Sequence, residues 1–374
     1  MLSGPDSTVV QRNCHLFSVP SPGTSIYLLV QNLYTPSIPK SSKIKMSRAQ
    51  IKSQSTFTLS PPVSPAAPPV PSTDHLDRVS YLFGHPISHS LSPLLHDTIY
   101  SALDLNYAQH LYETRSLTAC LALVHSPKFF GASVTMPHKV AVIPFLDMLT
   151  PEGEAIGAVN TIFLRDHPDG RRLLCGTNTD CIGIREAILQ NVRKETVSEM
   201  RGRRGVVIGG GGTCRAAVYT LKTYMGCDEV YLVNRDRSEV EQVVKECKSK
   251  GFGDGLRFVE SVEEAERLQG PKVVVSAIPD IPPKSEAEIR TRKIVQTLFG
   301  KEKGVILEMC YHPSPDTAIA RIARTNEWQV IEGTEAMIWQ GLEQEKVWLK
   351  KKVDALPVEK VKQVIAAKLT KPSL

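Results

Sequence analysis

The stretch RGVVIGGGGTCRAAVYTLKTY (204–224) decides the fold. A short apolar run, RGVVI, ends in Gly209, Gly210, Gly211 and Gly212, and Thr213 opens a segment with helical spacing. Glycines at a strand-to-helix junction let backbone amides approach a pyrophosphate, and the helix N-terminus adds favourable partial charge. Position 214, where a GxGxxG fingerprint has its third glycine, holds Cys214. A tight turn without a ligand is the bland alternative. A second strand, VYLVNR (230–235), ends about 25 residues further on and favours a dinucleotide-binding βαβ unit. That strand leads into Asn234, Arg235 and Asp236. An acid here accepts from the ribose 2′-hydroxyl, whereas an arginine can hold the 2′-phosphate of NADP. Asn234 stands where the acid is usual, and Asp236 would repel a phosphate held by Arg235. The balance favours NAD as cofactor, with NADP the alternative.

Outward from this unit, strands are expected at KVVVSAI (272–278), GVILEM (304–309) and QVIEG (329–333), followed by a helical stretch from Thr334. Upstream, VSYLFG (79–84) and FFGASVTM (129–136) read as strands, and residues from Pro93 and 138–149 as helices. Alternating strand and helix point to α/β layers with parallel sheets. A chain of 374 residues accommodates about two domains. The segment before residue 78 is rich in Ser and Pro, and SPPVSPAAPPVPST (60–73) cannot carry regular backbone hydrogen bonding. Residues 1–77 are therefore expected to be a disordered extension rather than a transit peptide, and Met46 offers an alternative start.

The net charge of +6 does not signal nucleic-acid binding. Arg12, Lys40, Lys43, Lys45, Arg48 and Lys52 face only Asp6 in the extension, which leaves the remainder nearly neutral. No apolar run approaches the roughly 20 residues that cross a bilayer. Eight scattered cysteines without a CxxC pair suggest reduced thiols, no metal site and a cytoplasmic location.

Four polar segments resist a purely structural reading: HPISHSLSP (85–93), SVTMPHK (133–139), GAVNT (157–161) and GTNTD (176–180). Singly, Ser92 before Pro93 reads as a helix N-cap, Asn160 as a turn residue and Lys139 as a solvated helix face. Together they resemble the shikimate/quinate dehydrogenase family. GHPISHSLSPLLH (84–96) resembles its GxPIxHSxSPxxHN block, with Asp97 where Asn is usual. VTMPHK, IGAVNT and GTNTDCIGI resemble VTxPxK, IGAVNT and GxNTDxxG. GGGGTCRA (209–216), YHPSPDT (311–317) and GTEAMIWQG (333–341) are similar to GAGGAARA, YxPxxT and GxxMLxxQg. The resemblance covers about residues 78–350.

It implies an N-terminal α/β substrate-binding domain (78–182) and a Rossmann NAD(P)-binding domain (183–335), with C-terminal helices (336–374) returning to the first. It also implies Lys139 and Asp180 as the catalytic pair. Ser90, Ser92, Thr135, Asn160, Tyr311 and Gln340 would bind substrate. Gly209, Gly210, Gly211, Gly212, Thr213, Asn234, Arg235, Asp236 and Gly333 would bind the cofactor. Oxidising a secondary alcohol requires a base for the hydroxyl proton as hydride leaves the same carbon. A closed cleft pushes a lysine towards its neutral form and an adjacent carboxylate pushes it back, so the two act as one coupled unit. The implied activity is oxidation of quinate, or of shikimate, by a monomer or homodimer whose partner is a small molecule. A free-standing chain of this kind suggests quinate catabolism. Biosynthetic NADP-dependent shikimate dehydrogenase and a non-catalytic quinate sensor are the alternatives. Two departures stand out: SAIPD (276–280) replaces an NATP-like segment, and TRKIVQTLFGKEKG (291–304) looks like an insertion.

Overall fold

The computed structural model describes residues 68–370, so the expectations for Met46 and most of the extension lie outside the described residues. The first sheet contains β1 (Arg78–Gly84), β2 (Tyr107–Glu113), β3 (Phe129–Val134), β4 (Met148–Leu149), β5 (Thr161–Asp166) and β6 (Arg172–Thr177), in the spatial order β2-β1-β3-β5-β6-β4. The second contains β7 (Arg204–Ile208), β8 (Glu229–Val233), β9 (Leu256–Phe258), β10 (Val273–Ser276), β11 (Val305–Glu308) and β12 (Gln329–Glu332), in the order β12-β11-β10-β7-β8-β9. Helices on the first half are α1 (Ser92–Ala102), α2 (Leu117–Leu123), α3 (His138–Ala141), α4 (Pro151–Ile156), α5 (Asp180–Asn191) and α6 (Lys194–Ser198). They are followed by α7 (Gly212–Tyr219), α8 (Arg237–Ser249), α9 (Val262–Arg267), α10 (Glu286–Phe299), α11 (Ala318–Thr325), α12 (Gly333–Leu349) and α13 (Val358–Thr370).

The second sheet is parallel throughout, and its strands are apolar on both faces. Val206, Val274 and Ile306 face one layer, where α10 and α11 contribute Ile294, Leu298 and Ile319. Their neighbours Val207, Val275 and Leu307 face the other, against α5, α7 and α8. Each fully buried side chain of this size contributes about 1.5–3 kcal/mol. The stretch 291–304, read as an insertion, is mostly the buried second half of α10. Neighbouring parallel strands need a crossover, and this helix carries the chain from β10 to β11.

The first sheet departs from the parallel expectation. β1 pairs in parallel with β2 and β3, but β5 runs antiparallel to both β3 and β6. A tight turn joins β5 to β6, closed by His167 N–H donating to Arg171 O, with Gly170 at φ 86°. The single helix expected over 138–149 is also corrected. It stops after α3, tightens into a 3₁₀ turn at Ile143–Phe145 and extends into β4. Pro144 has no N–H for the i−4 carbonyl and crowds the preceding turn, so the helix cannot continue.

The C-terminal helices return to the first sheet. Gly183 on α5 and Gly131 on β3 leave room for α12: a Cβ would lie 2.5 Å from Ala336 O at the first and 2.3 Å from the Trp348 ring at the second. Trp348 Nε1 donates to Ile162 O at 2.9 Å. Val361 and Ile365 of α13 pack with Leu95 and Ile99 of α1. The architecture is α/β with two domains, and α12 carries residues from the far end of the chain to the cleft.

Candidate active site

A cavity of about 430 Å³ opens between the carboxyl ends of the two sheets, within the size range of ligand pockets. Ser90, Ser92, Thr135, Lys139, Asn160, Asp180 and Gln340 line it, with Tyr311, Thr213 and Gly333. Lys139 lies in the first turn of α3, directly after β3, and Asp180 is the first residue of α5, a position that suits a carboxylate. Lys139 Nζ donates to Asp180 Oδ2 at 2.5 Å and to Thr213 Oγ1 at 3.4 Å. The other carboxylate oxygen, Oδ1, accepts from Asn160 Nδ2 at 2.7 Å. Asn160 Nδ2 also reaches Thr179 Oγ1 and Gln340 Oε1. The Asp180 backbone is held by Asn178, whose Oδ1 accepts from Asp180 N and whose Nδ2 donates to Ala158 O.

Ser92 is not the N-cap its sequence position suggests. It is the first helical residue, and its hydroxyl donates to Gln109 Oε1 at 2.6 Å, while Ser90 Oγ accepts from Ser92 N. Across the cavity, burial first and Cys310 second push the Tyr311 hydroxyl up, so it stays protonated near neutrality.

The glycine turn forms a cradle. Gly209 has φ 131°, and a Cβ there would lie 2.6 Å from Cys214 Sγ. At Gly210 a Cβ would lie 2.4 Å from both Asn234 Nδ2 and Glu239 Oε2. Gly211 caps α7 without a side-chain hydrogen bond, leaving the first amides of an eight-residue helix to other partners. This backbone fits a dinucleotide pyrophosphate. Gly333 is required by packing, since a Cβ would lie 2.3 Å from Met309 O. Asn234 Nδ2 donates to Glu239 Oε2 at 2.7 Å, and Arg235 pairs with Glu288 of α10. Asp236 caps α8, accepting from Ser238 N and Oγ at 2.8 and 2.6 Å. Those bonds hold its carboxyl below the usual range. The structure thus separates the expected set: Thr213 and Gly333 join the cavity, whereas the other cofactor-side residues lie outside its lining.

A family model described as the shikimate dehydrogenase substrate binding domain matches residues 82–162. The quinate dehydrogenase of Emericella nidulans is 45% identical over 316 residues, covering 79% of this chain and 96% of that protein. The chain belongs to the shikimate/quinate dehydrogenase family. It is an oxidoreductase. Among solved structures, the dehydroquinate dehydratase and shikimate dehydrogenase from S. pombe is 32% identical with a TM-score of 0.63, over 77% of this chain and 53% of that one. Shikimate 5-dehydrogenase from Thermus thermophilus, solved with NADP(H) and shikimate, is 26% identical with a TM-score of 0.60, over 78% and 99%.

Sequence reasoning missed several residues that this dehydrogenase brings to the cleft. Ser133 and Gln344 line the cavity, as do Ala277, Ile278, Pro279 and Met309. Glu239 reaches the glycine turn although its place, three residues after the cap Asp236, reads only as a helix start. Cys181 and Cys214 beside the site are buried, and burial pushes both thiols up, Cys214 to about 12, which disfavours the thiolate form. Among the described residues no helix is long and apolar enough to cross a membrane.

Proposed function

We propose that the chain oxidises quinate reversibly to 3-dehydroquinate with NAD, using Lys139 and Asp180 as one acid–base unit. The observation that carries this reading is the 2.5 Å Lys139–Asp180 contact inside a polar cavity, with Lys139 also reaching Thr213 at the start of α7. The base therefore faces both the substrate space and the cofactor turn. When bound, the nicotinamide supplies the hydride acceptor. The coupled Lys139–Asp180 pair takes the hydroxyl proton as the C–H bond of the same carbon breaks and the carbonyl forms. Asp180 stabilises the ammonium form of Lys139, and Asn160 holds Asp180. Ser90, Ser92 and Thr135 bind the carboxylate and neighbouring hydroxyls; Asn160, Tyr311 and Gln340 bind the rest. Residues 78–182 with 336–374 form the substrate half, and 183–335 the cofactor half.

Two carboxylates support NAD over NADP. Glu239 lies against Gly210, and Glu288 neutralises Arg235, so a 2′-phosphate would meet charge of its own sign. Support for quinate comes from the likeness to the Emericella quinate dehydrogenase, which spans 79% of this chain and 96% of that protein, and a catabolic role is proposed from that substrate. The described cysteines, unpaired and mostly buried, support a reducing, cytoplasmic compartment.

The test is a set of initial rates for quinate and shikimate, each with NAD and NADP. The largest kcat/KM belongs to quinate with NAD, and shikimate is the lesser substrate. Preference for shikimate with NADP would make the enzyme biosynthetic in type. Silence in all four with ligand binding intact would make the chain a sensor.

A further inference from the structure

Along the cavity wall and behind it, hydrogen bonds run continuously from the first loop to Asp180. Their direction follows from one group that has no alternative. The Thr179 backbone N–H can only donate, so the Asn160 atom it meets at 2.7 Å is the amide oxygen. That oxygen also receives the Thr161 hydroxyl at 2.8 Å. Thr161 Oγ1 in turn accepts from Gln344 Nε2 at 2.9 Å. Gln344 Oε1 is thereby turned towards Ser133 Oγ (3.0 Å) and His96 Nε2 (3.2 Å), and both must donate. Ser133 accepts from Gln109 Nε2, and Gln109 Oε1 accepts from Ser92. With Nε2 donating, one proton shared between His96 Nδ1 and Glu345 Oε1, 2.5 Å apart, completes a pair that is neutral overall.

His96, Thr161, Gln344 and Glu345 are all 0% exposed, and of these only Gln344 lines the cavity. Gln340 and Gln344 stand one turn apart on α12 and so share a face. Gln340 Oε1 meets the Asn160 nitrogen, while Gln344, through Thr161, holds its oxygen. One helix face therefore grips both ends of the amide whose nitrogen reaches Asp180.

We propose that Thr161 is a positioning residue for the Lys139–Asp180 pair, transmitting the hold of Gln344 and the buried His96–Glu345 pair to Asn160 without touching substrate. This rests on the acid–base assignment made above. Thr161→Val keeps the shape and removes the hydroxyl; Thr161→Ser keeps the hydroxyl. In quinate oxidation with NAD, Thr161→Val lowers kcat by roughly ten-fold, the loss expected for one buried hydrogen bond. KM for quinate and affinity for NADH stay near wild type, and Thr161→Ser restores kcat. A Thr161→Val enzyme with wild-type kcat overturns the proposal, as does a Thr161→Ser enzyme that is equally impaired, which would assign the loss to packing. Should Thr161→Val not fold, Gln344→Met carries the same expectation, and wild-type kcat there overturns it. Lys139→Ala, assayed in parallel, separates the two readings. Full turnover in Lys139→Ala removes the acid–base assignment and this proposal together. An inactive Lys139→Ala beside an unimpaired Thr161→Val removes this proposal alone.

Discussion

On the wall of the cleft carried by the first sheet, Lys139, Asp180, Asn160 and Gln340 reach one another through side-chain hydrogen bonds of 2.5 to 3.2 Å. On the facing wall, the turn at 209–212 offers backbone amides and the space left by missing Cβ atoms. The first wall is a set of polar groups that satisfy one another before a ligand arrives. Removing any of them leaves a part-buried or buried partner unmatched, at a cost that approaches about 1–3 kcal/mol where burial is complete. The second wall is defined by what it lacks, so it is sensitive to added atoms rather than lost ones. A loss on the first wall should therefore appear in kcat, and an addition on the second in cofactor binding.

The largest effect comes from the first wall. Lys139→Ala lowers turnover by about 10²–10⁴-fold, the usual contribution of a positioned proton acceptor. Cofactor affinity, followed by quenching or enhancement of NADH fluorescence, is nearly unchanged. A parallel loss of NADH binding would erase the distinction between the walls. Next comes Gly209→Ala on the second wall. A side chain at φ 131° and 2.6 Å from Cys214 Sγ strains the turn, at about 1–3 kcal/mol. KM for NAD should rise at least about ten-fold while kcat at saturating NAD is largely kept. An unchanged KM would mean that the turn does not cradle the cofactor.

A smaller effect sharpens the comparison at the edge of the second wall, where side chains do take part. Glu239→Arg removes the carboxylate beside Gly210 and supplies a phosphate partner. The ratio of kcat/KM for NADP to that for NAD should rise by roughly ten-fold. No change in that ratio would return the choice of cofactor to Arg235 and Asp236.

The smallest effect is on stability. Glu308, at the end of β11, is buried, and burial pushes its carboxyl from the ordinary 4.5 up to about 7. Below pH 4.5 both folded and unfolded chains hold the proton. Between there and about 7 the unfolded chain releases it and the folded chain retains it, so stability falls as pH rises across this window. Glu308→Gln, which has no proton to release, should flatten that fall, raising Tm at pH 8 by a few degrees relative to wild type but not at pH 4. Equal Tm differences at both pH values would show that the carboxyl is not the cause.

What the sequence disclosed follows the same division. The second wall is local: a strand, four glycines and a helix sit within one stretch of chain, and local pattern reveals them. The first wall is assembled from four separated segments plus α12, and the blocks around Ser90, Thr135, Asn160 and Asp180 became legible only as a resemblance. The pairing of His96 with Glu345, 249 positions apart, left no local signal, because two polar residues on helical faces read as solvated until α12 is seen to return. The antiparallel β5–β6 hairpin was legible in principle, since Pro168, Asp169 and Gly170 form a turn sequence between two alternating runs. Asp236 reads from the sequence as a charge that would repel a 2′-phosphate at Arg235; its capping of the unsatisfied amides at the start of α8 becomes visible only once the helix boundary is seen.

Hydride transfer across the cleft is tested most directly with quinate carrying deuterium on the carbon that becomes the carbonyl. Incubated with the enzyme and NAD, it should yield deuterated NADH with one label per turnover and none in water. Reduced cofactor without the label, or label released to solvent during turnover, would contradict the account.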